Sequence, residues 1–204
     1  FDNTIRTLID EGFVGDVLSL EVRAVGGTFI NPEPAMGWRQ DRALSGFNTM
    51  SLGIWYESVL RWIGEATAVT AKGRTFVKQR RDADGALRSA TIPDHIDVLA
   101  DMACGAQARF TISQVMGHVK SECVHICGRE GTLSLHDGRL FAGRKHDAAM
   151  NEIHIPETER GSWRVEEEFV NAIRGLEPVR RTRFEDGVKY MEFTEAAIRS
   201  MQER

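Results

Sequence analysis

Apolar positions along this chain change their period several times. Residues 3–11 place Ile5, Leu8 and Ile9 at helical spacing, with Gly12 as the stop. Residues 17–25 alternate instead. Leu18, Leu20, Val22 and Ala24 fall on one face, and Ser19, Glu21 and Arg23 on the other, which predicts a half-solvated or interface strand. Residues 31–45, with Pro32, Pro34, Gly37 and the pair Trp38–Arg39, predict a long loop, a place where function often resides. A helix is expected from an N-cap at Asn48 to Ile63, stopped by Gly64. Its buried stripe is Leu52, Tyr56, Val59, Leu60 and Ile63, flanked by Asn48, Ser51, Trp55, Ser58 and Trp62.

From Ala66 onward the period is again two. Strands are expected over 69–77, 96–102, 106–116, 122–127, 132–135 and around Leu140, with 153–155 as a short addition. Tight turns at 82–85, 104–105, 128–131 and 136–138 make these an antiparallel meander. Two helices close the chain. Residues 163–174 put Val165, Phe169 and Ile173 at i, i+4, i+8 before Gly175, and residues 186–202 bury Tyr190, Phe193, Ala197 and Met201. The order is not the alternation of a doubly wound sheet. It predicts an α+β fold, a mostly antiparallel open sheet with helices on one face.

Composition then narrows the functional classes. The 204 residues are 42% hydrophobic and 27% charged, with a net charge of -4, so nothing favours nucleic acid or an anionic membrane. No run approaches the ~20 apolar residues of a membrane span. Three cysteines, Cys104, Cys123 and Cys127, suit a reducing, cytoplasmic setting rather than a disulfide framework. The chain opens at Phe1 inside a helix, and a piece of a longer protein is expected.

Chemistry-bearing motifs are sparse. There is no G-x-G-x-x-G, G-x-x-x-x-G-K-[ST], G-x-S-x-G, H-E-x-x-H or C-x-x-C. Cys123, His125 and Cys127 share a strand face, but neighbours ~6–7 Å apart along one strand make a poor tetrahedral set, so no metal site is expected. Val124 and Ile126 should face the core instead. His95 and His118 sit near strand ends and are the histidines to watch. The favoured constellation is Asn48, Ser51 and Trp55, beside the buried stripe and after the Trp38–Arg39 loop. The residues alone favour a plainer reading of these three: an N-cap, a tolerated serine and a boundary tryptophan.

Taken in order, several segments resemble the C-terminal domain of the GFO/IDH/MocA family of NAD(P)-dependent oxidoreductases. The stretch from Leu8 to Val17 is similar to the family's helix–turn–strand entry. Ser45-Gly46-Phe47 through Ser51-Leu52-Gly53-Ile54-Trp55, closing at Trp62-Ile63-Gly64-Glu65, resembles its G-G-G-x-L-x-D-x-G-x-H helix. The Cys104-Gly105-Ala106 turn, the run from Ile126 to Leu133, and the last helix fall in family order, so the resemblance spans essentially the whole chain.

This resemblance implies a single substrate-binding and oligomerisation domain over residues 1–204, preceded in the longer protein by a dinucleotide-binding domain. NAD or NADP would be held there and not by this chain, which alone would be inactive. It implies a sugar, polyol or sugar-acid substrate contacted by Trp38, Arg39, Asn48, Ser51 and Trp55. It also implies a dimer or tetramer through the open sheet face. Two positions depart from the family. Its aspartate is Ser51 here and its histidine is Trp55. Tryptophan exchanges no proton at neutral pH and serine cannot stand in for a carboxylate, so the catalytic residues are left unassigned. Trp55 would instead offer a flat face to a sugar ring. The alternative is a non-catalytic ligand-binding or scaffold protein that kept the fold.

Overall fold

The structure, a computed structural model, describes residues 1–157, 160–161, 164–180 and 183–203. Helix α1 (Asp2–Asp10) leads into strand β1 (Val17–Val25), and a loop then carries the short α2 (Arg42–Ser45) to α3 (Leu52–Ile63). Strands follow: β2 (Ala66–Arg74), β3 (Gln79–Arg81), β4 (Leu87–Ser89), β5 (His95–Met102), β6 (Gln107–Ser113), β7 (Ser121–Gly128), β8 (Gly131–His136), β9 (Arg139–Arg144) and β10 (Asn151–Glu152). Helices α4 (Val165–Ile173) and α5 (Phe184–Gln202) close the described chain. Strands β3 and β4 form a separate hairpin around the expected turn at 82–85.

The expected α+β fold is present, with a largely antiparallel sheet. Its order is β10-β9-β8-β7-β1-β6-β5-β2. The simple meander needs one correction. Strand β1 is inserted between β6 and β7, parallel to β6 with Val22 opposite Phe110 and antiparallel to β7 with Val22 opposite Val124. Periodicity marks each strand but carries no information about its neighbours, so this insertion is invisible in the pattern.

One face of the sheet buries Leu20, Val22, Ile96, Val98, Phe110, Ile112, Val124 and Ile126 beneath α3 and α5. Tyr56 of α3 stacks on Phe193 of α5 with centroids 3.7 Å apart, and Phe110 tilts against Phe193 at 5.3 Å. These rings fasten both helices to the central strands. The other face presents Glu21, Arg23, Arg109, Leu99, Cys123, His125 and Cys127, so Val124 and Ile126 point inward as expected. Asp2 accepts a hydrogen bond from Trp62 Nε1 at 2.8 Å and pairs with Arg61 at 3.2 Å, which ties α1 to the end of α3.

Several local expectations change for identifiable reasons. Helix α3 starts at Leu52 with Ser51 as its N-cap, not at Asn48, because buried Met50 takes φ +50° and turns the chain. It does stop at Gly64, at φ +89°. Trp62 is buried, whereas Leu60 is only partly so. Leu18 is exposed because the β1–β7 ladder shifts register between Val17 and Ser19. Strand β2 ends at Arg74 and not at Val77, because the buried Asp94 carboxylate takes the Phe76 and Val77 amides at 2.8–3.0 Å. The 31–45 segment is not wholly irregular: it holds a 3-10 turn over Trp38–Gln40 as well as α2. In α4, Phe169 and Ile173 are exposed, and the buried side chain is Glu168, which accepts from the Arg180 amide at 3.1 Å. The expected start of that helix at Trp163 lies outside the described residues. The short strand expected at 153–155 is a two-residue pair at Asn151–Glu152.

Candidate functional site

The parallel strands β1 and β6 end side by side, at Val25 and Ser113, and both chains then leave the sheet. Gly26 and Gly27 follow β1. Gly26 donates to the Ser113 carbonyl at 2.8 Å, and Met116 donates back to the Gly26 carbonyl at 2.7 Å. Here a side chain cannot fit. A Cβ on Gly27 would lie 2.9 Å from Gly117 Cα and 3.0 Å from its carbonyl oxygen, so two backbones meet directly. Thr28 Oγ1 donates to Gln114 Oε1 at 2.6 Å and closes this corner.

Above that junction opens a cavity of about 500 Å³. It is lined by Ala24, Val25, Gly26 and Gly27 at the end of β1, by Gln114 and Gly117 after β6, and by Lys120, Ser121 and Glu122 at the entry to β7. Ser51 completes it from the start of α3. The Ser51 side chain makes no capping bond. Its hydroxyl is therefore available to a ligand at the positive end of a twelve-residue helix. The size suits one small polar molecule.

Of the five residues singled out from the sequence, Ser51 alone lines this cavity. Trp38 and Arg39 lie elsewhere and stack on each other, with the guanidinium carbon 4.2 Å from the ring centroid. Trp38 borders a second cavity of about 450 Å³, shared with Met36, Asp41, Leu44, Asp82 and Arg88. Arg39 borders a narrow cleft above Arg80 and Asp94. Burial lowers the Arg80 pKa and the nearby Asp94 charge raises it, with burial the larger effect; its guanidinium donates to the Phe29 and Asn31 carbonyls. Asn48 and Trp55 are partly buried and line neither cavity, Trp55 packing against the core one helical turn beyond Ser51.

Thr28, Gln114, Lys120 and Glu122 escaped the sequence reading. The Gly26–Gly27 pair is the signal that could have found them, since paired glycines at a strand end mark close backbone approach. His118 is exposed on the loop that carries Gln114 and Lys120. His95 hydrogen-bonds Asp97 at 3.1 Å on the open face, and Asp97 accepts from Thr111 at 2.8 Å. His125 Nδ1 is 3.0 Å from Ser134 Oγ. Among the described residues no three His, Cys, Asp or Glu side chains gather in a metal-holding group. The three cysteines are unbridged. Nor do the described residues offer a dinucleotide cradle: β1 runs through its glycines into a loop rather than into a helix. No described helix is long and apolar enough to cross a membrane.

The sequence pattern of the GFO/IDH/MocA C-terminal domain matches residues 3–134. The chain belongs to this family. Among its relatives, glucose-fructose oxidoreductase domain-containing protein 2 of Xenopus laevis is 25% identical over 159 residues, covering 77% of this chain and 40% of that protein. Domain-containing protein 1 of Mus musculus is 27% identical over 157 residues, covering 76% and 39%. The GFO/IDH/MocA chain thus spans about two fifths of the length of these relatives. Levoglucosan dehydrogenase, solved with NADH and L-sorbose, superposes with a TM-score of 0.82 at 19% identity, over 97% of this chain and 60% of that one. Aldose-aldose oxidoreductase from Caulobacter crescentus, solved with glycerol, gives 0.76 at 21% identity over 99% and 58%. At such identities these superpositions establish the fold.

Proposed function

We propose that this chain is the substrate-binding part of an NAD(P)-dependent oxidoreductase acting on a sugar, polyol or related acid. The observation that carries the reading is the cavity at the ends of β1 and β6, lined by Ser51, whose side chain makes no capping bond, together with Gln114. Hydroxyl and amide groups beside the apolar Ala24 and Val25 suit a polyhydroxylated ligand, whose C–H face would meet those two side chains. The sugars and NADH named for the similar structures agree with this class.

The nicotinamide cofactor is held by a dinucleotide-binding domain of the longer protein, and supplies the hydride chemistry when bound. This chain's part is to bind and orient the ligand and to keep water from it. Ser51 orients a hydroxyl, and Trp55, one turn further along α3, packs against the core. Neither Ser51 nor Trp55 exchanges protons at neutral pH. The open sheet face, with Leu99 exposed among Glu21, Arg109 and His125, is the surface for self-association into a dimer or tetramer in a cytoplasmic setting.

The same two residues favour a second reading, a ligand-binding or scaffold protein without turnover. Reduction of NAD or NADP by the longer protein, followed by nicotinamide absorbance across a panel of sugars and polyols, separates the two. Turnover of at least one sugar is the expected result. Sugar binding without turnover on any of them supports the scaffold instead.

A further inference from the structure

Lys120 and Glu122 are the only charged side chains among those lining the main cavity. They flank Ser121 at the start of β7, and no hydrogen bond or ion pair within 4.0 Å joins either to any described residue. Some exposed charges elsewhere are paired, such as Lys145 with Glu130 at 2.6 Å and Lys189 with Glu65 at 2.9 Å. Others, such as Lys72 and Lys78, stand in solvent without an ion pair among the described residues; Lys120 and Glu122 differ from both in lining one cavity together. A cation and an anion two residues apart, both facing one cavity and not neutralising each other, leave a donor and an acceptor free at its mouth.

Resting on the reading of that cavity as a sugar site, we propose that Lys120 and Glu122 set its charge selectivity, tuning it to uncharged polyhydroxyl ligands over sugar acids. A hydroxyl donates to Glu122 as readily as it accepts from Lys120, so a neutral sugar satisfies both groups. An anionic ligand is attracted by Lys120 and repelled by Glu122, and gains nothing net for its desolvation. The rest of the lining agrees. Ala24, Val25, Gly26 and Gly27 give no further charge, and Thr28 and Gln114 are neutral groups joined by one hydrogen bond.

The test compares D-glucose with D-glucuronate, two rings that differ in one carboxylate. Affinities come from NMR titrations of the chain and its Glu122→Gln and Lys120→Met variants at low ionic strength, after matched thermal melting confirms that the variants fold. The wild type is expected to favour glucose. Glu122→Gln should shift the glucose/glucuronate ratio toward the acid by about five- to tenfold, and Lys120→Met should shift it the other way by a similar factor, both shrinking in 0.5 M salt as exposed charges do. Glucose binding at the cavity with a ratio unmoved by both variants, or a wild-type preference for glucuronate, overturns the inference and leaves the sugar site standing. No binding of either sugar by the wild type overturns the sugar site and this inference together.

Discussion

Replacing Asp94 by alanine should destabilise the fold more than any comparable change to a surface carboxylate. Its side chain is buried at 4% exposure and accepts from the Phe76 amide at 2.9–3.0 Å and from the Val77 amide at 2.8 Å. Its backbone joins two further elements, donating to the Arg74 carbonyl and accepting from the Gln114 amide. Bonds from amides to a carboxylate contribute about 1.5–3 kcal/mol each. Phe76 is half exposed, so water replaces part of what is lost there. The expected cost of Asp94→Ala is therefore about 2–4 kcal/mol, and that of Asp94→Asn, which keeps one acceptor oxygen, about 1–2 kcal/mol. Urea unfolding followed by tryptophan fluorescence measures both, with an unchanged slope as the check that only stability moved. Amide exchange should accelerate at Phe76 and Val77 in the alanine variant. A cost below about 1 kcal/mol for Asp94→Ala, with those amides still protected, would refute the reasoning.

Other consequences are as direct. Burial raises the Tyr56 pKa above its ordinary value, against the opposing bond from the Ala66 amide. The unfolded chain then loses this proton first, so stability is intact below pH ~10 and falls as pH rises past it. Tyr56→Phe should flatten that alkaline fall while costing about 1 kcal/mol at neutral pH for the stranded Ala66 amide. A Cβ on Gly128 would lie 2.2 Å from the Val14 carbonyl oxygen, backbone that cannot yield. Gly128→Ala should cost about 3 kcal/mol or more in denaturant unfolding, at the upper end of overpacking costs. If the open sheet face is covered by a second copy, sedimentation should show a dimer or larger. Cys123 and Cys127, on that face, should then react with a thiol reagent far more slowly than exposed Cys104. Equal rates in a sedimenting monomer would remove the interface.

The strands, the last helix and the two-faced sheet were legible because they rest on period. Helix α4 was legible as a helix but not in its packing, since its periodic Phe169 and Ile173 are exposed and Glu168 is buried. What period could not supply was adjacency. The insertion of β1 between β6 and β7 decides that Gly26–Gly27 meets Gly117, and so creates the cavity. Ser51 was visible as a candidate because it sits at the start of a strongly patterned helix. Lys120 and Glu122 were not, since a lysine and a glutamate at a strand entry look like ordinary solvated residues until the fold puts them in the lining of the same cavity as Ser51. Asn48 illustrates the reverse error. It is a good capping residue by type, but the left-handed turn at Met50 moves the helix start three residues on, and no local propensity for Met at positive φ announces that turn.

A crystal structure of the chain soaked with L-sorbose tests the central claim most directly. The account predicts one ordered sugar over Gly26 and Gly27, with a hydroxyl within hydrogen-bond distance of Ser51 Oγ and another toward Glu122. A sugar seated beside Trp38 or on the open sheet face, with the β1–β6 cavity holding only solvent, would contradict it.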